Sequence, residues 1–224
     1  MENPWLTFNP KENAPKFHDL DKAHAQAFNM GIGAPDEYKL AEHLEPYPYF
    51  GNPLANIFVL LANPGVSKRN SEPSFRTNPE YVNQSQRNLR HESPDSFISW
   101  VHSPDNPERE SDWLIPRIRK VVGETSLERI SSGLFFINYH PYNSKSWYPI
   151  PFTFETQLYS FHLVSEAMKR EVLIIMSRNM LGWFTAIPGL YEYKNRVKFK
   201  SSRSVHISRD NLGTEAYEDL LKRL

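Results

Sequence analysis

The apolar residues of this chain gather into four short runs, at residues 56–62 (NIFVLLA), 134–138 (LFFIN), 172–176 (VLIIM) and 204–207 (SVHI). The first three are continuous rather than alternating, the pattern of strands covered on both faces in a parallel sheet. Helical patterns separate them. Residues 79–89 and 113–122 lie between the first two runs, and 156–169 between the second and third. Residues 180–184 follow the third run, and 214–224 end the chain. Strands alternating with helices predict an α/β fold, a three-layer αβα sandwich with a small, mostly parallel four-stranded sheet. The stretch between the first two runs is too long for one crossover, so it must carry extra helices or a functional loop.

Residues 1–48 differ in texture. They are polar and acidic, and broken by Pro4, Pro10, Pro15, Pro35, Pro46 and Pro48, with a short helix predicted over 21–30. The expected organisation is an N-terminal extension, 1–48, packed on a core domain, 49–224. A length of 224 residues suits one such domain.

Composition narrows the chemistry. With no cysteine, the chain has no disulfide, no Cys-ligated zinc and no iron–sulfur cluster. Its longest convincing apolar run, residues 57–62, falls far short of the ~20 residues of a membrane-spanning helix. The start, Met-Glu-Asn-Pro-Trp, does not read as a secretory signal, and a cytoplasmic location is the expectation. Net charge is zero but unevenly placed. Residues 1–50 carry 4 basic and 8 acidic side chains, whereas 126–224 carry 13 basic and 9 acidic. A nucleic-acid surface needs only such a local excess.

In parallel α/β sheets, ligands sit outside the carboxyl ends of the strands. After the first run, Pro64 and Gly65 make a sharp turn with Asn63 at its lip. Taken alone, that tripeptide is an ordinary turn. The second run ends in Asn138, an amide that is costly to bury unless paired. It either ties down the following loop or reads the edge of a base. After the third run, Ser177 or Asn179 reads as a helix cap. The fourth run is preceded by residues 194–203, with five basic side chains and no acidic one. That stretch fits a grip on phosphates or an exposed edge strand guarded by lysines. Within the fourth run, His206 is either structural or catalytic.

Taken in order, these loops resemble the uracil-DNA glycosylase superfamily. Residues 62–67 (ANPGVS) are similar to the Asn-Pro-Gly form of its first motif, found in mismatch-specific uracil/thymine glycosylases. Residues 205–208 (VHIS) are similar to its His-Pro-Ser second motif, with Ile207 in place of the proline. Asn138 matches the strand-ending asparagine that reads uracil, and the lead-in 49–53 (YFGNP) also fits. The position of the leucine that wedges into the duplex falls near Asp210.

The resemblance implies a DNA base glycosylase that needs no metal or cofactor, has DNA as its partner and acts as a monomer. Asn63 would hold the attacking water, and His206 would stabilise the departing base as charge builds on it. Asn138 would read the flipped base, with stacking from Phe75 or Tyr142, or from Tyr81 or Trp147. Gly65, lacking a side chain, would leave room for a substituent at the pyrimidine 5-position. Lys68, Arg69, Lys198, Lys200, Ser208 and Arg209 would contact the DNA. A non-catalytic binding module of the same fold is the second reading. An unrelated nucleotide-binding α/β enzyme ranks last, because neither a Gly-rich phosphate loop nor a Gly-x-Ser-x-Gly elbow occurs.

Overall fold

A computed structural model of the chain describes residues 1–10, 14–31, 35–66, 72, 77–92, 98, 101, 103, 113–201 and 203–224. Its strands are β1 (Tyr49–Gly51), β2 (Ile57–Leu61), β3 (Leu134–Asn138), β4 (Leu173–Met176) and β5 (Arg196–Lys198). They form one mixed sheet in the order β1-β3-β2-β4-β5. β1 runs antiparallel to β3, and the other pairings are parallel. The α/β class expected from the sequence holds. The sheet, however, has five strands, and residues 204–207 are not one of them. Their backbone groups bond elsewhere: Ile207 N–H donates to Arg117 O at 2.8 Å, and the Asn211 amide donates to the carbonyls of Ser204 and His206. With those groups satisfied in a loop, nothing draws the segment into a ladder. The edge position is filled instead by Arg196–Lys198, inside the basic run.

Eight helices stand among the described residues: α1 (Lys22–Gly31), α2 (Pro79–Leu89), α3 (Leu114–Val122), α4 (Leu127–Gly133), α5 (Gln157–Lys169), α6 (Met180–Ala186), α7 (Arg209–Leu212) and α8 (Thr214–Arg223). Local chemistry sets their starts. Asn78 caps α2 by accepting from the N–H groups of Glu80 and Tyr81, with Pro79 at the first helical position. Ser126 caps α4 in the same way.

The continuous apolar strands divide by period two. Phe58, Leu60, Phe135, Ile137, Ile174 and Met176 join one core with residues of α1, α2, α5 and α6. Ile57, Val59, Leu61, Leu134, Phe136, Leu173 and Ile175 join the other, with residues of α3, α4, α7 and α8. The N-terminal segment adds Trp5, Phe8 and Phe17 to the first core, all buried. It therefore supplies part of the interior.

Candidate functional site

The parallel strands all end at one edge of the sheet, and two of their loops stay joined beyond it. Leu61 is in register with Asn138. Past that point Tyr139 N–H donates to Leu61 O at 3.1 Å, His140 N–H to Ala62 O at 3.0 Å, and Ser144 N–H to Pro64 O at 3.2 Å. Gly65 and Ser144 form a further parallel bridge. Instead of the sharp turn expected at Pro64-Gly65, the Asn63 segment thus runs on alongside the loop that follows Asn138 and is bridged to it. Trp183 locks the same corner from α6, its indole N–H donating to Leu61 O at 3.0 Å.

Asn63 is half-buried. Its Nδ2 donates to Ser144 Oγ at 2.8 Å and to Pro64 O at 3.1 Å. Asn138 is 2% exposed, and its Nδ2 donates to Tyr47 O at 2.7 Å. The Asn138 Oδ1 is buried with no hydrogen-bond partner among the described residues. The amide therefore ties down Tyr47, in the segment leading into β1, and keeps an open acceptor. A buried acceptor left open costs about 1–3 kcal/mol, so its partner is a ligand group or water. Gly65 is exposed, and a Cβ there would meet no atom of the described residues within 4 Å.

Tyr142 does not offer a stacking face. It is 1% exposed, with Phe17 and Phe154 edge-on at 5.0 and 5.1 Å. Its hydroxyl donates to Asp21 Oδ2 at 2.6 Å and accepts from His18 N–H at 3.1 Å. Burial, reinforced by the Asp21 carboxylate, holds the phenol well above its ordinary pKa. Tyr142 is an anchor between the N-terminal segment and the Asn138 loop. The sequence expectation of a base-stacking residue is corrected accordingly.

His140, in the same loop, is also buried. Its ring stacks on Trp147 at 4.9 Å, and neither ring nitrogen has a well-formed hydrogen bond among the described residues. Burial pushes the ring down to about 4, opposed only in part by the nearby Gln157 side chain. His140 is neutral at physiological pH.

His206 lies in coil beyond β5 and is exposed. Strands β2 and β5 are two positions apart in the sheet, roughly 10 Å at the usual strand spacing. His206 Nδ1 is 3.0 Å from Pro116 O. A carbonyl only accepts, so Nδ1 carries a proton. Nε2 then accepts when the ring is neutral and donates only when it is an imidazolium. The loop is held by Asn211, whose Nδ2 donates to Ser204 O at 2.6 Å and His206 O at 3.0 Å, and whose Oδ1 accepts from Ser201 N–H at 2.8 Å.

The expected DNA contacts divide. Lys198 and Lys200 are exposed. Ser208 caps α7, its Oγ accepting from Asn211 N–H. Arg209 is neutralised: it pairs with Glu124 at 2.7 Å and with Glu218, and lies 4.8 Å over the Tyr217 ring. With two carboxylates on it, Arg209 is a structural cation rather than a phosphate ligand. Lys68, Arg69 and Phe75 lie outside the described residues. Among the described residues no cluster of His, Asp and Glu could hold a metal ion.

The structure brings Asn63, Asn138 and Gly65 together and places His206 with Lys198 and Lys200 farther along the same edge. Sequence reasoning missed Ser144, Asn211, His140 and Asp21. A serine or an asparagine in a polar loop carries no signal of its own, because the partner that gives it meaning is distant in the chain. No family model, curated protein or solved structure matches this chain significantly.

Proposed function

We propose that the protein is a DNA base glycosylase that hydrolyses the N-glycosidic bond of a flipped pyrimidine, either uracil, a mismatched base or a 5-modified one. The observation that carries this reading is the pairing of β2 with β3, which sets the Asn63 segment beside the open acceptor of Asn138. His206, the counterpart of the second motif, follows the last parallel strand at the same edge.

The geometry suits the chemistry in a definite way. Asn138 Oδ1 accepts from an N–H on the base edge. Water bound at Asn63 attacks C1′ of the sugar, and the electron pair of the breaking C1′–N bond leaves with the base. His206, as an imidazolium, donates from Nε2 to a base carbonyl oxygen and stabilises that developing anion. The water's second proton passes to solvent, since an amide does not accept it. Lys198 and Lys200 hold flanking phosphates. The open space at Gly65 leaves room for a 5-substituent.

The test is base excision on DNA containing uracil, G·U and G·T mismatches, 5-hydroxymethylcytosine, or glucosylated phage bases. Abasic sites are revealed by alkaline cleavage. Wild-type protein is expected to produce them on at least one substrate, and Asn63→Ala and His206→Ala are each expected to lose roughly 10²–10³-fold in rate. DNA binding without abasic sites on any substrate would replace this reading with a non-catalytic module. That second reading is favoured by one observation, the exposure of His206 in a loop whose motif proline is Ile207.

A further inference from the structure

Hydrogen counting around Asn63 fixes more than its location. Ser144 has a single hydroxyl proton, and it is donated to Ser146 O at 2.9 Å. Toward Asn63 Nδ2, 2.8 Å away, Ser144 Oγ is therefore an acceptor. The second amide hydrogen of Asn63 goes to Pro64 O. Both N–H groups are occupied, and among the described residues Oδ1 of the Asn63 amide has no hydrogen-bond partner.

We propose that Ser144 is a positioning residue that holds the Asn63 amide in one orientation, presenting Oδ1 as an acceptor to whatever occupies the site. For a nucleophilic water the orientation matters. Water that donates to Oδ1 keeps its lone pairs free for attack. Water that accepts from Nδ2, as in the flipped amide, has a lone pair engaged and is held the wrong way round. This inference rests on Asn63 being the water-binding residue of the proposed glycosylase.

The N-terminal segment keeps Ser144 in place. Ser144 is buried, and its loop is fastened to the N-terminal segment by several hydrogen bonds. Tyr142 bonds Asp21, which also accepts from both Thr156 N–H and Thr156 Oγ1. Ala41 N–H donates to Asn143 O, Asn143 Nδ2 to Glu45 O, and Ser146 N–H to Glu37 O, each at 2.8 Å. Residues 21–45 thus set the loop, the loop sets Ser144, and Ser144 sets Asn63.

The experiment compares wild type with Ser144→Ala and Ser144→Thr, using two readouts. The first is the side-chain amide resonance pair of Asn63 in a ¹⁵N-labelled protein, which needs no substrate. Ser144→Ala is expected to shift the pair and to speed its hydrogen exchange roughly tenfold, as loss of one hydrogen bond implies, whereas Ser144→Thr keeps the wild-type signal. The second is excision kinetics, where Ser144→Ala is expected to lower kcat roughly tenfold with KM within about twofold, and Ser144→Thr to restore kcat. Unchanged Asn63 amide signals in Ser144→Ala overturn the proposal. A changed amide with unchanged kcat also overturns it. If wild type excises no base at all, the glycosylase reading fails, and the amide signals alone decide whether Ser144 orients Asn63.

Discussion

Around Asn138 the candidate site is buried and tied at many points; around His206 it is exposed and held chiefly by one amide. In the first half, Asn63, Asn138, Tyr142 and Ser144 each have partners on segments far away in the chain. In the second, the Asn211 amide bonds Ser201, Ser204 and His206, and α3 adds only Pro116 O and Arg117 O, which meet His206 Nδ1 and Ile207 N–H. Under the glycosylase proposal, the contrast fits two tasks. Reading a base and orienting a water need groups fixed before the substrate arrives. A group that meets the base only after flipping, beside a strand of phosphates, can stand in water.

The comparison can be pressed hardest with acid. Burial lowers the pKa of His140 from 6.5 to about 4. The unfolded chain therefore takes up a proton that the folded chain refuses. The stability associated with neutral His140 is fully present above pH 6.5 and is lost as pH falls toward 4, by about 3 kcal/mol. His91, stacked on Tyr49 and likewise lowered to about 4 by burial, acts in the same direction. Urea titrations between pH 7 and 4 should show this loss, and His140→Phe should make the curve flatter. A curve unchanged by His140→Phe would mean that the loop around Asn138 is not the closed structure described above.

A smaller effect separates the two halves directly. Tyr142→Phe leaves Asp21 short of one donor in the interior, and a loss of about 1–2 kcal/mol is expected. For a chain of this size that is a drop of roughly 2–8 °C in Tm. Asn211→Ala, in the exposed half, should lower Tm less than Tyr142→Phe while reducing excision more, because it frees the loop of His206. Thermal unfolding and excision rates measured on both variants decide it, and equal ranking on both scales would erase the distinction between the halves.

The smallest effect concerns charge. Replacing Lys198 and Lys200 together with alanine should lower the slope of log affinity against log salt for duplex DNA by about 2. Arg209→Ala should leave that slope unchanged, since its charge is matched by Glu124 and Glu218. A change of slope in Arg209→Ala would return it to the DNA surface.

The fold was legible where one strand or helix carries its own signal. The runs at 56–62, 134–138 and 172–176 became β2, β3 and β4, and the helix expected over 79–89 appears as α2. The run at 204–207 misled because four residues with two polar ones do not demand a strand. Its backbone found Asn211 and Arg117 instead. The strand Tyr49–Gly51 was missed because three residues set no period, and its existence depends on pairing with Phe135–Ile137. Of the site, Asn63, Asn138 and His206 stood out because Asn63 follows an apolar run, Asn138 ends one and His206 lies within one. Tyr142 stood out for the wrong reason: an aromatic ring in a loop looks free until Phe17, Phe154 and Asp21 close around it.

By itself, then, the amino-acid sequence determined the α/β class and the central parallel strands, because hydrophobic periodicity acts over a few residues. Only the tertiary structure decided which amide atoms are spent and which are open. It also decided that Arg209 is neutralised, and that a proline-broken N-terminal segment shapes the loop beside Asn63. Hydrogen bonds have direction and a fixed supply of protons, so their assignment waits until residues as distant as Asp21 and Tyr142 meet.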